Sequence, residues 1–388
     1  MVRAFAAVLA FTALIGQAQA VDKIKIGFLS TLSGPSAAIA IDIRDGFNTF
    51  VQLNGGKLGG IPIEMIYGDD QQNPDTGKQL AEKLLKRDRV DFVTGIVFSN
   101  VMMAVAPSVF ESQTFLISAN SGPTAFAGEG CSPWFFGVSW QNDGVHEAAG
   151  KYVNDKGFKN VVLVAPNYPA GKDALTGFKR FYKGNVIEEI YPKLAQLDFS
   201  AEIAQIRAAK PDALYIFLPG GMGVNFIKQY VAAGLNKQMV LVGPGFSADE
   251  DLIKAVGEPM VGMFNTSQWA HDLDNAANRR FVAEFQKQYQ RLPTLYASQG
   301  YDAAQLLDSA IRDVKGKIED KDALRKTLQA ANFKSVRGDF KFNVNHFPIQ
   351  SYYLREVVKE PAGRITNKLI GPVLVAQGDA YASACKMK

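Results

Sequence analysis

The sequence predicts an α/β protein with two domains, each built on a largely parallel sheet. The chain has 388 residues, more than one hydrophobic core usually supports, so two domains are the default expectation. Short apolar runs rich in β-branched residues alternate with longer stretches of helical period, which is the pattern of βαβ units. This series of strand and helix pairs runs twice, once before and once after residues 139–143.

The predicted strands are short apolar runs in which β-branched residues are frequent. In chain order they cover residues 24–29, 61–67, 90–96, 114–118, 160–165, 186–191, 213–218, 239–242 and 261–265. The stretches between them repeat apolar residues at helical spacing, and Pro74 suits the first turn of the second helix. These helices cover about residues 37–54, 74–88, 144–156, 170–182, 199–209, 223–233, 275–290, 296–314 and 321–331. After about residue 335, short strands with polar turns at 338–343 and 351–358 predict an antiparallel edge or a crossing back between domains.

The first twenty residues predict a cleavable export signal. Arg3 precedes an apolar stretch, residues 4–15, and the small-residue motif Ala18-Gln19-Ala20 follows, in the order of a secretory signal peptide. We expect cleavage after Ala20 and a mature chain in the periplasm. A membrane anchor is the alternative, but about 20 apolar residues are needed to span a bilayer and this run is shorter.

The composition excludes several classes of protein. Hydrophobic residues make up 47% of the chain and charged residues 21%, which is typical of a soluble globular protein. The net charge is +4 and no stretch concentrates the basic residues, so nucleic acid is not an expected partner. The three histidines and two cysteines are scattered and form no local zinc signature, so we expect no metal and no cofactor.

The common catalytic motifs are absent from the sequence. No Gly-Lys pair is followed by Ser or Thr, so the chain has no phosphate-binding P-loop. It also has no Gly-x-Ser-x-Gly turn, which an α/β hydrolase needs for its nucleophile. We therefore expect a protein that is not an enzyme, and a periplasmic enzyme is the third choice of function.

The two cysteines have a specific meaning in an exported chain. Disulfides form and persist in oxidising compartments, so we predict a bond between Cys131 and Cys385. This bond would link the segment after the fourth predicted strand to the C-terminal tail. Two free thiols are the alternative.

The loops after the predicted strands are the candidate ligand site, because ligands of open α/β sheets bind beyond the carboxyl ends of the strands. These loops are residues 30–35, 98–100, 119–122, 166–168, 219–221, 243–246 and 266–269. They consist mainly of glycine, small hydroxyl residues, amides and aromatic residues. Backbone N–H groups, hydroxyls and flat walls suit a small anionic or polar molecule with an apolar body. The alternative is that glycine, serine and asparagine only cap helices and shape turns.

Motifs spread over the whole mature chain carry a family resemblance. They are residues 23–35 (KIKIGFLSTLSGP), 54–62, 69–74 (DDQQNP), Gly95 with Ser99, 106–107 and 297–303 (ASQGYDA). In kind and order they resemble type I periplasmic binding proteins, in particular the branched-chain and hydrophobic amino-acid group with its aromatic-acid-binding branch. The resemblance implies two Rossmann-like lobes with parallel sheets, joined by three crossovers, with a ligand between the lobes. It also implies a monomer that delivers its ligand to the membrane permease of an ATP-driven (ABC) importer.

The resemblance assigns residues to each lobe. Lobe 1 would comprise residues 22–140 plus 270–345, and lobe 2 would comprise residues 141–269 plus 346–388. The change of pattern after residue 335 then corresponds to the third crossover. The alternative function on the same fold is a ligand-sensing subunit of an extracytoplasmic receptor.

The resemblance also assigns ligand-binding positions. Ser99 falls where the family binds the ligand carboxylate, and Asn120, Ser121 and Gly122 add donors from the next loop. Several donors are needed together because a buried carboxylate without partners would be costly. Residues 140–142 match the first crossover, which reaches the ligand in the family. The full predicted set is Ile39, Phe98, Ser99, Asn120, Ser121, Gly122, Trp140, Gln141, Asn142, Gly220, Gly245, Phe246 and Trp269.

Gly245 is the main departure from the amino-acid binders, which place an acidic residue there to pair with the ligand's ammonium group. A buried ammonium without that partner would be costly, so the sequence disfavours α-amino acids. Phe98, Trp140, Phe246 and Trp269 would supply flat walls for a ring. We therefore predict a small aromatic carboxylate of the benzoate or hydroxycinnamate (p-coumarate) kind. The alternative is a branched-chain amino acid or an amide, with an Asp or Glu from another loop in place of the missing acid and the aromatic residues packed in the lobe cores.

Overall fold

The computed structural model describes residues 22–387. The predicted signal peptide, residues 1–20, lies outside this range. Among the described residues, no helix is both long enough and apolar enough to cross a bilayer.

The strands and helices are numbered here in chain order. The strands are β1 Ile24–Ser30, β2 Lys57–Leu58, β3 Ile61–Asp69, β4 Phe92–Thr94, β5 Phe115–Ser118, β6 Phe135–Gly137, β7 Asn160–Val164, β8 Asn185–Ile190, β9 Ala213–Ile216, β10 Val240–Pro244, β11 Phe264–Ser267, β12 Lys341–Phe342, β13 Pro348–Lys359 and β14 Ile365–Gln377. The helices are α1 Ala37–Leu53, α2 Pro74–Lys83, α3 Ser99–Glu111, α4 Gly144–Asp155, α5 Pro169–Phe181, α6 Ser200–Ala209, α7 Gly221–Ala232, α8 Glu250–Val256, α9 Ala276–Tyr289, α10 Leu295–Asp313 and α11 Lys321–Ala330.

The first sheet has the strand order β2-β3-β1-β4-β5-β6. Strands β1, β3, β4, β5 and β6 pair in parallel, and the short β2 pairs antiparallel with β3. Strands β4 and β5 are buried along their whole length, as expected of parallel strands covered by helices. Helices α1, α2 and α3 follow strands of this sheet, and the later helix α10 packs along α1.

The second sheet has the order β12-β13-β11-β10-β9-β7-β8, and β14 also pairs with β13. Strands β7 to β11 are parallel, whereas β13 is antiparallel to β11, β12 and β14. Helix α4 packs on β10, β11 and β13. The predicted antiparallel edge is therefore confirmed.

The chain crosses between the two sheets three times. It leaves the first sheet after β6, returns after β11 to form α9, α10 and α11, and leaves again after α11. The predicted class of two α/β lobes joined by three crossovers is thus confirmed. The lobe boundaries stay a prediction, and β12, within the range predicted for lobe 1, pairs with β13 of the second sheet.

A buried arginine holds the crossovers together. Arg337 Nε donates to Asp302 Oδ2 of α10 at 3.0 Å, and neither side chain is more than 1% exposed. The Nη atoms of Arg337 donate to the carbonyl oxygens of Val138 at 2.8 Å and Ser139 at 2.7 Å, and to Gln350 Oε1 at 2.6 Å. One guanidinium therefore links α10, the first crossover, the third crossover and β13.

All predicted strands and helices overlap observed ones, but β2, β6, β14, α3 and α8 were not predicted. Helix α3 is apolar over most of its length and contains Pro107, so its sequence shows little helical contrast. Helix α8 has only seven residues and depends on its N-cap, Asp249. Strand β14 contains Gly371 and Pro372 and forms by pairing with β13, which is a tertiary contact.

A disulfide joins Cys131 to Cys385, which confirms the predicted pair. Cys131 lies between β5 and β6 of the first sheet, and Cys385 follows β14 of the second. The tail is fixed further by Tyr381, whose hydroxyl donates to Asp143 Oδ2 at 2.7 Å and accepts from Arg180 Nη2 at 2.9 Å. The C-terminal tail is therefore fastened across both sheets.

Candidate functional site

A cavity with about 310 Å³ of empty space, part of it open to solvent, lies between the two sheets, beyond the carboxyl ends of their strands. We call it the interlobe cavity. Its lining residues come from the loops after β4, β5 and β6 of the first sheet and after β7, β9 and β10 of the second, together with α1 and α10. They are Ile39, Val97, Phe98, Ser99, Asn120, Ser121, Trp140, Asn142, Tyr168, Ala170, Phe217, Pro219, Phe246 and Tyr296. The cavity thus occupies the position that strand ends predict for a ligand.

Ser99 is placed by a glycine turn and a helix start. After β4 the chain turns at Gly95, with φ of +97°, where a Cβ would lie 3.0 Å from the Phe28 ring. The turn leads into α3, of which Ser99 is the first residue. The first N–H groups of a helix carry partial positive charge, so this hydroxyl stands where an anion is favoured.

Ser99, Ser121 and Asn142 form a cluster of hydrogen-bond donors at one end of the interlobe cavity. Ser99 Oγ and Ser121 Oγ share a hydrogen bond of 2.9 Å, and Asn142 Nδ2 donates to Ser99 Oγ at 3.1 Å. Asn142 Oδ1 accepts from the Gly122 N–H at 3.0 Å, which fixes the amide orientation. Position 122 requires glycine, because a Cβ would lie 2.3 Å from the carbonyl oxygen of Trp140. This donor cluster offers neutral donors, which a carboxylate can use.

Aromatic rings form the walls of the cavity. The ring centroids of Trp140 and Phe246 are 4.4 Å apart, and those of Phe98 and Tyr168 are 6.2 Å apart. Phe217 lies 6.5 Å from Tyr168 and 6.2 Å from Phe246. The rings come from both lobes, so a planar apolar ligand would contact both at once.

No acidic or basic side chain is among the residues that line the interlobe cavity in the described part of the chain. Two titratable groups lie behind its walls. Asp173 accepts from Asn142 Nδ2 at 2.8 Å, and burial raises the pKa of this carboxyl group. His146 packs against Phe217 and Trp140, with ring centroids 4.8 and 5.7 Å away, and burial lowers its pKa to about 3, so it is neutral near pH 7. An ammonium group in the cavity would therefore meet no carboxylate on the walls.

Eight of the thirteen predicted ligand-binding residues line the interlobe cavity: Ile39, Phe98, Ser99, Asn120, Ser121, Trp140, Asn142 and Phe246. Three others lie close by. Gly122 does not line the cavity, but its N–H donates to Asn142 Oδ1. The Gln141 side chain is directed away from the cavity, and its Nε2 donates to Thr124 Oγ1 at 3.0 Å. Gly220 lines an adjoining cavity.

The structure does not bring Trp269 and Gly245 to the interlobe cavity. Trp269 Nε1 donates to Asn278 Oδ1 at 2.7 Å, and its ring lies 6.1 Å from Phe281, so Trp269 packs against α9. A Cβ at Gly245 would lie 2.6 Å from Arg355 Nη2. Position 245 therefore points at a buried guanidinium instead of the cavity.

The other lining residues were not in the predicted set: Val97, Tyr168, Ala170, Phe217, Pro219 and Tyr296. Tyr168 and Pro219 lie in strand-end loops that the sequence singles out, but neither carried a chemical signal of its own. Phe217 precedes one of these loops. Tyr296 lies in the first turn of α10, which returns from the second lobe to the first, and no local pattern connects it with the other lining residues.

Two α/β lobes with a small cavity at facing strand ends define the class of solute-binding proteins that enclose a ligand between lobes. A family model for periplasmic binding proteins matches residues 23–363, and the chain belongs to this family. Membership implies a periplasmic location.

Known proteins similar to this chain include transport proteins with solved ligand complexes. The Leu/Ile/Val-binding protein homolog 6 of Brucella melitensis is 30% identical over 382 residues, 96% of either chain. The solute-binding protein of an ABC transporter from R. palustris, solved with benzoate, is 34% identical, with a TM-score of 0.89 over 94% of this chain and 100% of the other. A second one, from Rhodopseudomonas palustris BisB5 with 3,4-dihydroxybenzoic acid, is 28% identical, with a TM-score of 0.85 over 93% and 99%.

Proposed function

We propose that this protein captures a small aromatic carboxylate, of the benzoate or hydroxycinnamate kind, for an ABC importer. The observation that carries the proposal is the combination of a neutral donor cluster with aromatic walls and no charged lining residue. The two R. palustris neighbours, with benzoate and 3,4-dihydroxybenzoic acid, support the same ligand class.

The donor cluster suits the carboxylate end of such a ligand. Ser99 and Ser121 are at most 2% exposed, so a carboxylate beside them would lose most of its hydration and need replacement donors. The two hydroxyls and the Asn142 amide can supply these donors by rotating away from one another. The ring would lie between Phe98 and Phe246, which come from different lobes.

The remaining features of the proposal concern transport. The signal peptide is removed after Ala20, and the mature protein is a monomer that binds and releases its ligand unchanged. Lobe 1, residues 22–140 plus 270–345, and lobe 2, residues 141–269 plus 346–388, close on the ligand. The permease of the importer recognises the closed form, which requires that the ligand binds this form more tightly than the open one.

Titration calorimetry tests the ligand class. The panel is benzoate, 4-hydroxycinnamate, leucine and a short amide, and we expect binding of the two aromatic acids near micromolar Kd, about −8 kcal/mol. Tight binding of leucine with no response to the aromatic acids would overturn the proposal and favour the amino-acid alternative.

A pair of serine variants tests the donor cluster. We expect Ser99→Ala to weaken benzoate binding about tenfold, because a hydrogen bond to a charged group is lost. Ser108→Ala is the matched control, since Ser108 lies on the same helix α3 and does not line the cavity. Equal affinities of the two variants would place the carboxylate elsewhere.

A further inference from the structure

A second and larger cavity adjoins the interlobe cavity. It has about 780 Å³ of empty space and shares two wall residues, Ile39 and Tyr296, with the first. Val224 and Leu252, on α7 and α8, form part of its apolar wall. We call it the distal cavity, because it adjoins the interlobe cavity at Ile39 and Tyr296 and is not lined by the donor cluster.

Asp249 provides a polar group in the mostly apolar distal cavity. Its side chain is 4% exposed, and Oδ1 accepts from the N–H groups of Asp251 and Leu252, both at 3.0 Å. These bonds cap α8 and use one oxygen, and within residues 22–387 no donor is hydrogen-bonded to Oδ2. Asp249 can therefore hold its helix and still offer an oxygen to a ligand.

The charge state of Asp249 is compatible with an anionic ligand. Burial, together with the neighbouring carboxylates of Asp251, Asp42 and Glu250, raises its pKa to about 8. Near pH 7 the group is therefore largely protonated and does not repel a carboxylate in the adjoining cavity. A protonated carboxyl group can still exchange hydrogen bonds with a hydroxyl.

A ligand that occupies both cavities would meet polar groups of the protein at both of its ends. Resting on the proposed function, we infer that the ligand reaches past Ile39 and Tyr296 into the distal cavity and carries a hydroxyl group that hydrogen-bonds to Asp249 Oδ2. The interlobe cavity supplies the donor cluster for the carboxylate and the aromatic walls for one ring. Among the polar side chains that line the distal cavity, Asp249 is buried whereas Asn225 and Asp251 are partly exposed, so a buried distal hydroxyl depends most on Asp249.

The first test compares 4-hydroxycinnamate with cinnamate in titration calorimetry. We expect the wild-type protein to prefer the hydroxylated acid about tenfold, the usual effect of one such hydrogen bond. In Asp249→Ser this preference is lost while the affinity for cinnamate is kept, because serine caps a helix as well as aspartate but has no second oxygen. Asp320→Ser, which changes the N-cap of α11 in the same way, is the control and keeps the preference.

A second variant keeps the inference testable should Asp249→Ser fail to fold. Val224→Phe narrows the distal cavity without changing a residue of the interlobe cavity. We expect it to weaken binding of 4-hydroxycinnamate and to leave benzoate binding unchanged.

Three outcomes overturn the inference. The first is equal affinity of wild-type protein for the two cinnamates, and the second is a preference that survives in Asp249→Ser. The third is unchanged 4-hydroxycinnamate binding in Val224→Phe. In each case benzoate binding still supports the proposed function, whereas the absence of binding of any aromatic carboxylate overturns both.

Discussion

Replacement of Arg337 by methionine should destabilise the protein strongly. Asp302 is fully buried, and without the guanidinium it keeps hydrogen bonds from Ser335 Oγ at 2.6 Å and Val336 N at 3.1 Å but loses its charged partner. Removing one member of a buried ion pair costs about 3–5 kcal/mol, because the other charge is left uncompensated. The carbonyl oxygen of Val138 loses its Arg337 donor as well, whereas that of Ser139 keeps a hydrogen bond from Gln350 Nε2 at 2.6 Å. The expected loss is a large fraction of the 5–15 kcal/mol that stabilises a typical domain.

Urea denaturation, monitored by circular dichroism, measures this loss of stability. Two further variants test whether the loss is electrostatic. Arg337→Met combined with Asp302→Leu should recover part of the stability, because no buried charge remains. Arg325→Met is the control, since Arg325 pairs with the exposed Asp322 and should cost less than about 1 kcal/mol. A cost below about 1 kcal/mol for Arg337→Met, or a double variant no more stable than the single one, would refute the electrostatic reasoning.

Three further predictions concern the disulfide, position 245 and pH. Reduction of Cys131–Cys385, or replacement of both cysteines by serine, should lower the free energy of unfolding by up to about 5 kcal/mol. Urea titration with and without reductant measures this change. Reactive thiols in the untreated native protein would argue against the bond. In Gly245→Glu the new side chain has to displace the Arg355 guanidinium, which lies 2.6 Å from the Cβ position, so calorimetry should show no gain of leucine binding; leucine binding by this variant would place position 245 beside the ligand. Because the pKa of Asp249 is about 8 in the folded protein against an ordinary value near 4, its ionisation favours unfolding as the pH rises through that interval. The stability of wild type relative to Asp249→Asn should therefore fall between about pH 4 and pH 8 in denaturation curves, and a constant difference would contradict the raised pKa.

Local sequence patterns were sufficient for most of the fold. The strands of both sheets are short apolar runs, and the helices with a clear apolar face could be located nearly to the residue. Helix α3 was missed because it is apolar on most sides, so its period is weak. Strand β14 was missed because its register depends on β13, with which it shares no local pattern.

The site residues that could be predicted are those with a polar side chain close to the end of a strand. Ser99, Ser121 and Asn142 are polar residues that directly follow strands or the first crossover, and the structure brings them together. Tyr296 and Asp249 could not be found in this way. Tyr296 comes from a helix that returns to the first lobe, and Asp249 looks like an ordinary helix cap until the adjoining cavity is seen.

The environment of Gly245 shows a limit of reasoning by resemblance. The missing acid suggested a ligand without an ammonium group, but the position faces Arg355, which is 110 residues away in the chain. Arg355 Nε donates to Asn265 Oδ1 at 2.9 Å, so the guanidinium is held by β11. A tertiary neighbour, and not the ligand, therefore decides which side chain fits at position 245.

The bond between Cys131 and Cys385 has a mechanical consequence for ligand exchange. It closes a covalent loop that runs through both lobes, and the two cysteines are 254 residues apart in the sequence. The bond holds the Cα atoms of Cys131 and Cys385 5.7 Å apart, so these two points of the chain stay together when the lobes move. No such bond joins Ile39 to Gly220, where Ile39 Cδ1 lies 3.4 Å from the Cβ position of Gly220, so the lobes can separate between these two residues without breaking a covalent link.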